Sequence, residues 1–169
     1  MKAFTLVEML VVMAIVAVVL ALGVPAYQII QARAKSSQCL AHLESLGSAL
    51  NLYLGDHQMI MPTLAAARSS VDEEVPTIDT VLAEYLESKK VFQCPADATL
   101  WKTTGTSYYW NNALNGQSAA RLNLFGFIED ASRIPVILDK DSWHRYSQNK
   151  VNHLFADGHA TQGLKMFVQ

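Results

Sequence analysis

Between Glu8 and Arg33 the chain places 24 consecutive residues without a charge. As a helix rising 1.5 Å per residue, that run is about 36 Å long, enough to cross a hydrocarbon core of roughly 30 Å. It also accounts for the chain's excess of hydrophobicity. Hydrophobic residues make up 51% of the 169 residues, and 23 of them fall between Phe4 and Ala32. From Arg33 onward their share is about 45%, an ordinary soluble value, and 26 of the charged residues lie there. One apolar block excludes a multi-span membrane protein, and the remainder is apolar enough to exclude disorder. A formal net charge of −2 and an isoelectric point near 6.2 give no support to nucleic acid as a partner. The 137 residues after the block suit one compact domain.

A secretory signal has a basic start, an apolar stretch of about 7–15 residues and a small-residue cleavage site. Here Lys2 is the whole basic start, the apolar run is longer, and Ala21-Leu22-Gly23 is a weak cleavage site. A spanning helix fits better, and Glu8 qualifies it. An acid at the head of a spanning helix costs a few kcal/mol unless it lies at the interface or has a partner. The surrounding string, Lys2-Ala3-Phe4-Thr5-Leu6-Val7-Glu8-Met9-Leu10, resembles the processing and methylation site of type IV pilins and type II secretion pseudopilins. The resemblance implies a leader of residues 1–3 cut between Ala3 and Phe4, methylation of the new Phe4 amine, and Glu8 as the assembly residue. Pro25 matches the mid-span proline of that family, whereas Ala3 stands where the family usually has glycine. The implied partners are prepilin peptidase, an inner-membrane assembly platform, other pilin-like subunits, and the lipid bilayer before assembly. The methylated amine remains cationic, so in a filament it would neutralise Glu8 of a neighbour and remove the cost of a buried unpaired charge. The plainer alternative leaves Glu8 at the lipid head groups. Lys2 on one side, with Arg33 and Lys35 on the other, does not decide orientation. A periplasmic head on a single-pass protein of the bacterial inner membrane follows from the resemblance.

Helical periodicity continues beyond the apolar run. Cys39, Leu43, Leu46, Leu50 and Tyr53 recur at steps of four, three, four and three, which sets them within about 80° of one another. One helix from about Phe4 to Gly55 is expected, with Pro25 bending it, Gly55 as C-cap and Pro62 as a stop. Its first part, residues 4–32, is apolar all round, and its second part is amphipathic and belongs to a head of residues 33–169. A loop region follows over Asp56–Pro76. A second helix is expected with Thr77 as cap, Ile78, Val81, Leu82, Tyr85 and Leu86 as its buried stripe, and Lys89-Lys90 at its end. Ser107–Trp110 and Ile134–Leu138 read as strands, with Pro135 at an edge or entry position. Val151–Ala156 and His159–Phe167 read as a hairpin joined by a two-residue type I′ turn at Asp157-Gly158, with Gly163 as a bulge. The fold class is α+β: a long helix under a small head with a short helix and an antiparallel sheet.

The C-terminal string Leu154-Phe155-Ala156-Asp157-Gly158-His159 is similar to the closing motif of a pilin-like subfamily marked by His, nine residues, then Asp-Gly. Cys39-Leu40, Leu46–Tyr53, Cys94-Pro95-Ala96-Asp97 and Ser107-Tyr108 with Asn111 or Asn112 share that likeness. The expected histidine is missing, because Ser147 occupies its position and His144 lies three positions early.

Cys39 and Cys94 admit two states. Outside the inner membrane they can oxidise to a disulfide; otherwise they are buried thiols. Asp139, Asp141, His144, His153, Asp157 and His159 are residue types that ligate zinc or, through carboxylates, calcium. They follow no metal-loop spacing, so the reading assigns no metal or cofactor and keeps calcium as the alternative. Gly105-Thr106-Ser107 lacks a nucleophile-elbow frame, and no catalytic residue is assigned. Trp101, Tyr108, Tyr109, Trp110 and Trp143 read as packing rather than as a ligand platform. The expected function is a non-enzymatic pilin-like subunit of a type II secretion-type pseudopilus. The alternatives are a type IV pilus subunit for adhesion, motility or DNA uptake, and a membrane-tethered metal-dependent enzyme or ligand-binding head.

Overall fold

A computed structural model describes residues 5–146 and 149–163. Helix α1 runs without interruption from Leu6 to Asp56, about 77 Å. Its N-terminus is closed by a capping box between Thr5 and Glu8. Pro25 lies within the helical run and does not end it. The C-terminal boundary differs from the glycine stop expected at Gly55. The helix passes through that residue and is capped by His57, whose backbone N–H donates to Tyr53 O at 3.0 Å and Leu54 O at 3.3 Å. Gln58 and Met59 then reverse the chain at φ +54° and +60°. Stacking of the His57 ring on Tyr53, at 3.8 Å between centroids, supports the cap.

From Thr5 to Tyr27 every residue of the helix is exposed. From Ser36 onward one face is buried: Cys39, Leu43, Leu46, Ala49, Leu50 and Leu54 enter the core, with Tyr53 half-buried at its edge. Among the described residues α1 is the one helix long and apolar enough to cross a membrane.

The second helix is shorter than its stripe implies. An α-turn, α2 (Ile78–Val81), tightens into a 3-10 segment at Leu82–Tyr85. Lys89 and Lys90 open a separate 3-10 segment, Lys89–Phe92, instead of closing that helix. The cap is also only half formed. Thr77 N–H donates to Thr80 Oγ1 at 2.9 Å, while the Thr77 hydroxyl turns to Asp79 Oδ1 at 2.8 Å. Ile78 and Leu82 are buried, and Val81, Tyr85 and Leu86 pack at the margin. A five-residue helix α3 (Leu100–Thr104) precedes the sheet.

The sheet is an antiparallel meander, β1 (Tyr108–Trp110), β2 (Pro135–Asp139), β3 (Asn152–Phe155) and β4 (Ala160–Gln162), in spatial order 1-2-3-4. Pro135 enters β2 opposite Phe155, where a register irregularity absorbs its missing N–H. The β3–β4 loop is not a two-residue type I′ turn. Phe155 pairs with His159, Gly158 N–H donates to Phe155 O at 2.9 Å, and only Gly158 takes positive φ, at +91°. This is a three-residue loop with Gly158 in the left-handed position, a form that leaves Asp157 at negative φ. Gly163, at φ +84°, ends β4, its N–H donating to Val151 O at 2.9 Å. The expected continuation to Phe167 lies outside the described residues. The lower half of α1 packs on β3 and β4 and on the 3-10 segments Leu82–Tyr85 and Lys89–Phe92.

Candidate functional site

The N-terminal motif and the buried point where α1 meets the sheet are the two places that concentrate functional side chains. At the first, Thr5 N–H and the Thr5 hydroxyl both donate to Glu8 Oε2, at 2.8 and 2.7 Å, and Glu8 N–H donates back to Thr5 Oγ1 at 3.3 Å. The two side chains therefore satisfy one helix-end N–H each, Glu8 that of Thr5 and Thr5 that of Glu8. Glu8 remains exposed, as do the apolar residues after it. Its carboxylate thus sits one turn into a wholly exposed apolar rod. Lys2, Ala3 and Phe4, which would carry the cut and the methylated amine, lie outside the described residues.

At the second place Cys39 of α1 and Cys94 of the loop after Phe92 are joined by a disulfide, with Cα atoms 5.0 Å apart and a sequence separation of 55. Both are fully buried. Around the sulfurs lie Tyr108 Oη, 3.4 Å from Cys39 Sγ, Asp139 Oδ1, 3.5 Å from it, and His144 Nε2, 3.7 Å from Cys94 Sγ. His144 Nε2 also meets Asp139 Oδ2 at 3.1 Å and Asn152 Nδ2 at 2.9 Å, and the Asn152 backbone N–H donates to Asp139 Oδ2 at 2.8 Å. Burial and the nearby Asp139 and Asp97 carboxylates push the Tyr108 phenol well above its ordinary range, so it stays a neutral donor.

The six residues considered as metal ligands separate into distinct places. Asp139 and His144 join the cysteines at the buried point. His153 lies one residue along β3, buried, with burial holding its imidazole below the usual value against a smaller opposing pull from Asp139. Asp157 and His159 pair with each other at the exposed turn. Asp141 is exposed and accepts from Ser142 N–H at 2.6 Å. The aromatics divide likewise. Tyr108 and Trp110 fill the core while Tyr109 faces outward, and Trp101 and Trp143 lie half-buried elsewhere.

Sequence reasoning placed Asp97 and Ser107 in the subfamily likeness without giving either a structural role, and read Asn152 only as part of a strand. Asp97 accepts from the N–H groups of Thr99, Leu100 and Trp101 at 2.8–2.9 Å and from the Ser107 hydroxyl at 2.6 Å. Ser107 Oγ in turn accepts from Cys94 N–H at 3.0 Å. An aspartate three residues before Leu100, the first residue of α3, was the available signal. Directly after β2, Lys140 Nζ donates to Thr104 Oγ1 and Thr106 O at 2.7 and 2.8 Å. Burial lowers its pKa to about 8, against the raising influence of Asp79 and Asp97.

Residues 1–24 match the family model of the prokaryotic N-terminal methylation motif. No curated protein and no solved structure matches the chain. In its first 24 residues the chain therefore carries the methylation motif typical of type IV pilins and pseudopilins, at the start of a long helix that runs into a small α+β head.

Proposed function

We propose that this chain is a non-enzymatic subunit of a type II secretion-type pseudopilus, made as a precursor and polymerised through α1. The observation that carries the reading is the coincidence of the methylation motif with a helix exposed and apolar from Leu6 to Tyr27. Such a surface is unstable in water and finds cover either in lipid or against other copies of itself. Prepilin peptidase removes residues 1–3 and the Phe4 amine is methylated. Before assembly residues 4–32 hold the protein in the inner membrane as a single pass, with residues 33–169 in the periplasm. An assembly platform then withdraws subunits from the bilayer into a filament. During that transfer the Glu8 carboxylate exchanges its Thr5 partners for the cationic amine of a neighbour, which offsets its desolvation.

Co-expression with a prepilin peptidase tests the first step. Intact-mass measurement should show loss of Met1 to Ala3 and gain of one methyl group, and an uncut N-terminus would sink the reading. Glu8→Val should abolish filaments while leaving the circular dichroism of the head unchanged; normal filaments from that variant would remove the assembly role. Deletion in the native host separates pseudopilus from pilus. Loss of protein export supports the first, and loss of adhesion, motility or DNA uptake with export intact transfers the assignment to a type IV pilus.

A further inference from the structure

We propose that, while Cys39 and Cys94 are thiols, these two residues with Asp139 and His144 bind one zinc-class divalent cation, so that the head is held at one point by either a metal or a disulfide. The four donor atoms, two sulfurs, a carboxylate oxygen and an imidazole nitrogen, all lie within 4.8 Å of one another. Each parent residue is at most 2% exposed. Mixed thiolate, imidazole and carboxylate donors in a buried set of four suit tetrahedral zinc and not calcium, which takes six to eight oxygens.

The donor spacings lie close to that geometry. Zinc bonds of about 2.0–2.3 Å in a tetrahedron place ligand atoms about 3.3–3.8 Å apart. Cys39 Sγ to Asp139 Oδ1 is 3.5 Å, Cys94 Sγ to His144 Nε2 is 3.7 Å, and His144 Nε2 to Asp139 Oδ2 is 3.1 Å. The two sulfurs must part, which breaking their bond allows, and the Asp139 carboxylate must turn to present one oxygen to both neighbours.

The local hydrogen bonding leaves a place for the cation. His144 Nε2 lies between Asp139 Oδ2 and the Asn152 amide, and His144 Nδ1 is buried without a partner, so the ring is held through the one nitrogen that would meet the metal. A cleft of about 390 Å³, lined by Arg33, Ser36 and Ser37 of α1 with Tyr146 and Gln162, has His144 in its wall.

Loading converts two thiols to thiolates, and two protons leave as the cation binds. A disulfide-donating oxidant then returns the site to the Cys39–Cys94 bond: the two thiolates each give up one electron, the donor disulfide takes two protons to become two thiols, and the cation departs. With all four positions filled by protein the metal holds structure and leaves no open place for a substrate.

The test uses the full chain in detergent micelles, reduced by a phosphine, which takes up the oxygen of water as the disulfide becomes two thiols. Cobalt(II) added alone should bind at one equivalent per chain, with a thiolate-to-cobalt charge-transfer band and the strong visible bands of a tetrahedral ion, and zinc should bleach both. Asp139→Asn and His144→Gln should each weaken binding more than about tenfold, and the oxidised chain should bind none. A reduced, folded chain without the charge-transfer band, or one whose affinity is unmoved by both substitutions, overturns the proposal. If the reduced metal-free chain loses its folded dichroism, recovery on adding zinc supports the site, and failure to recover overturns it.

Discussion

Asp97 satisfies more backbone donors than any residue singled out from the sequence. Three N–H groups at the start of α3 and the Ser107 hydroxyl converge on one buried carboxylate. Asp97→Ala leaves those donors unpaired, and a loss of about 1–3 kcal/mol in the denaturant midpoint analysis is expected; a loss near zero would show that water replaces the carboxylate. His153 makes a pH-dependent prediction. Its imidazole is held below the usual value mainly by burial, so the unfolded chain takes up the proton first as pH falls. Stability conferred by the neutral ring is complete above about pH 6.5 and is lost as pH drops from there toward the lowered folded value. Unfolding measured against His153→Gln should show the two stabilities converging across that window. Parallel pH curves would contradict it.

Among elements, α1 was the most legible in the sequence and the second helix the least. The long helix announces itself twice, by an uncharged run and then by a periodic stripe, and both belong to one continuous element. The stripe of Ile78, Leu82 and Tyr85 also points inward, but i to i+3 and i to i+4 spacings do not distinguish an α-helix from a tightening 3-10 turn over eight residues. The sheet strands were found within about one residue at their starts, because β-branched and aromatic runs are bounded by turn residues. The hairpin turn was mistyped because Asp-Gly serves both a two-residue loop and the second half of a three-residue one, and only φ at Asp157 decides. Gly47 fixes the approach of α1 to β3. A Cβ there would stand 3.1 Å from Leu154 Cδ1. Gly47→Val should therefore push helix and sheet apart at a cost of about 1–3 kcal/mol, read as a lowered melting temperature. An unchanged melting temperature would mean that Leu154 moves aside freely.

For the whole molecule, the N-terminal site was legible because its chemistry is contiguous in sequence. The buried site was not, since its four residues come from positions 39, 94, 139 and 144, on one helix, one strand and two separate loops. His144 illustrates the difference. Counting back from Asp157 excludes it, yet the structure brings it against Asp139 and Asn152. The closed loop of 55 residues assigns the disulfide up to about 4 kcal/mol in the chain-entropy model. Reduction in the presence of a chelator should lower unfolding stability by an amount approaching that figure. A change below about 1 kcal/mol would mean that packing alone fixes Cys94 to α1.

The position of that bond along α1 has a mechanical consequence. Burial of the helix begins at Ser36, and Cys39 lies three residues farther on, less than one turn inside the head. A pull on the apolar end of the helix loads the head at this margin first, in the direction that would peel α1 from the sheet residue by residue. Apolar contacts yield to peeling one at a time, whereas a covalent link stops the tear at its first turn. Tension then passes through Cys94 into the Asp97–Ser107 network and β1, and the head is dragged as one piece rather than unzipped.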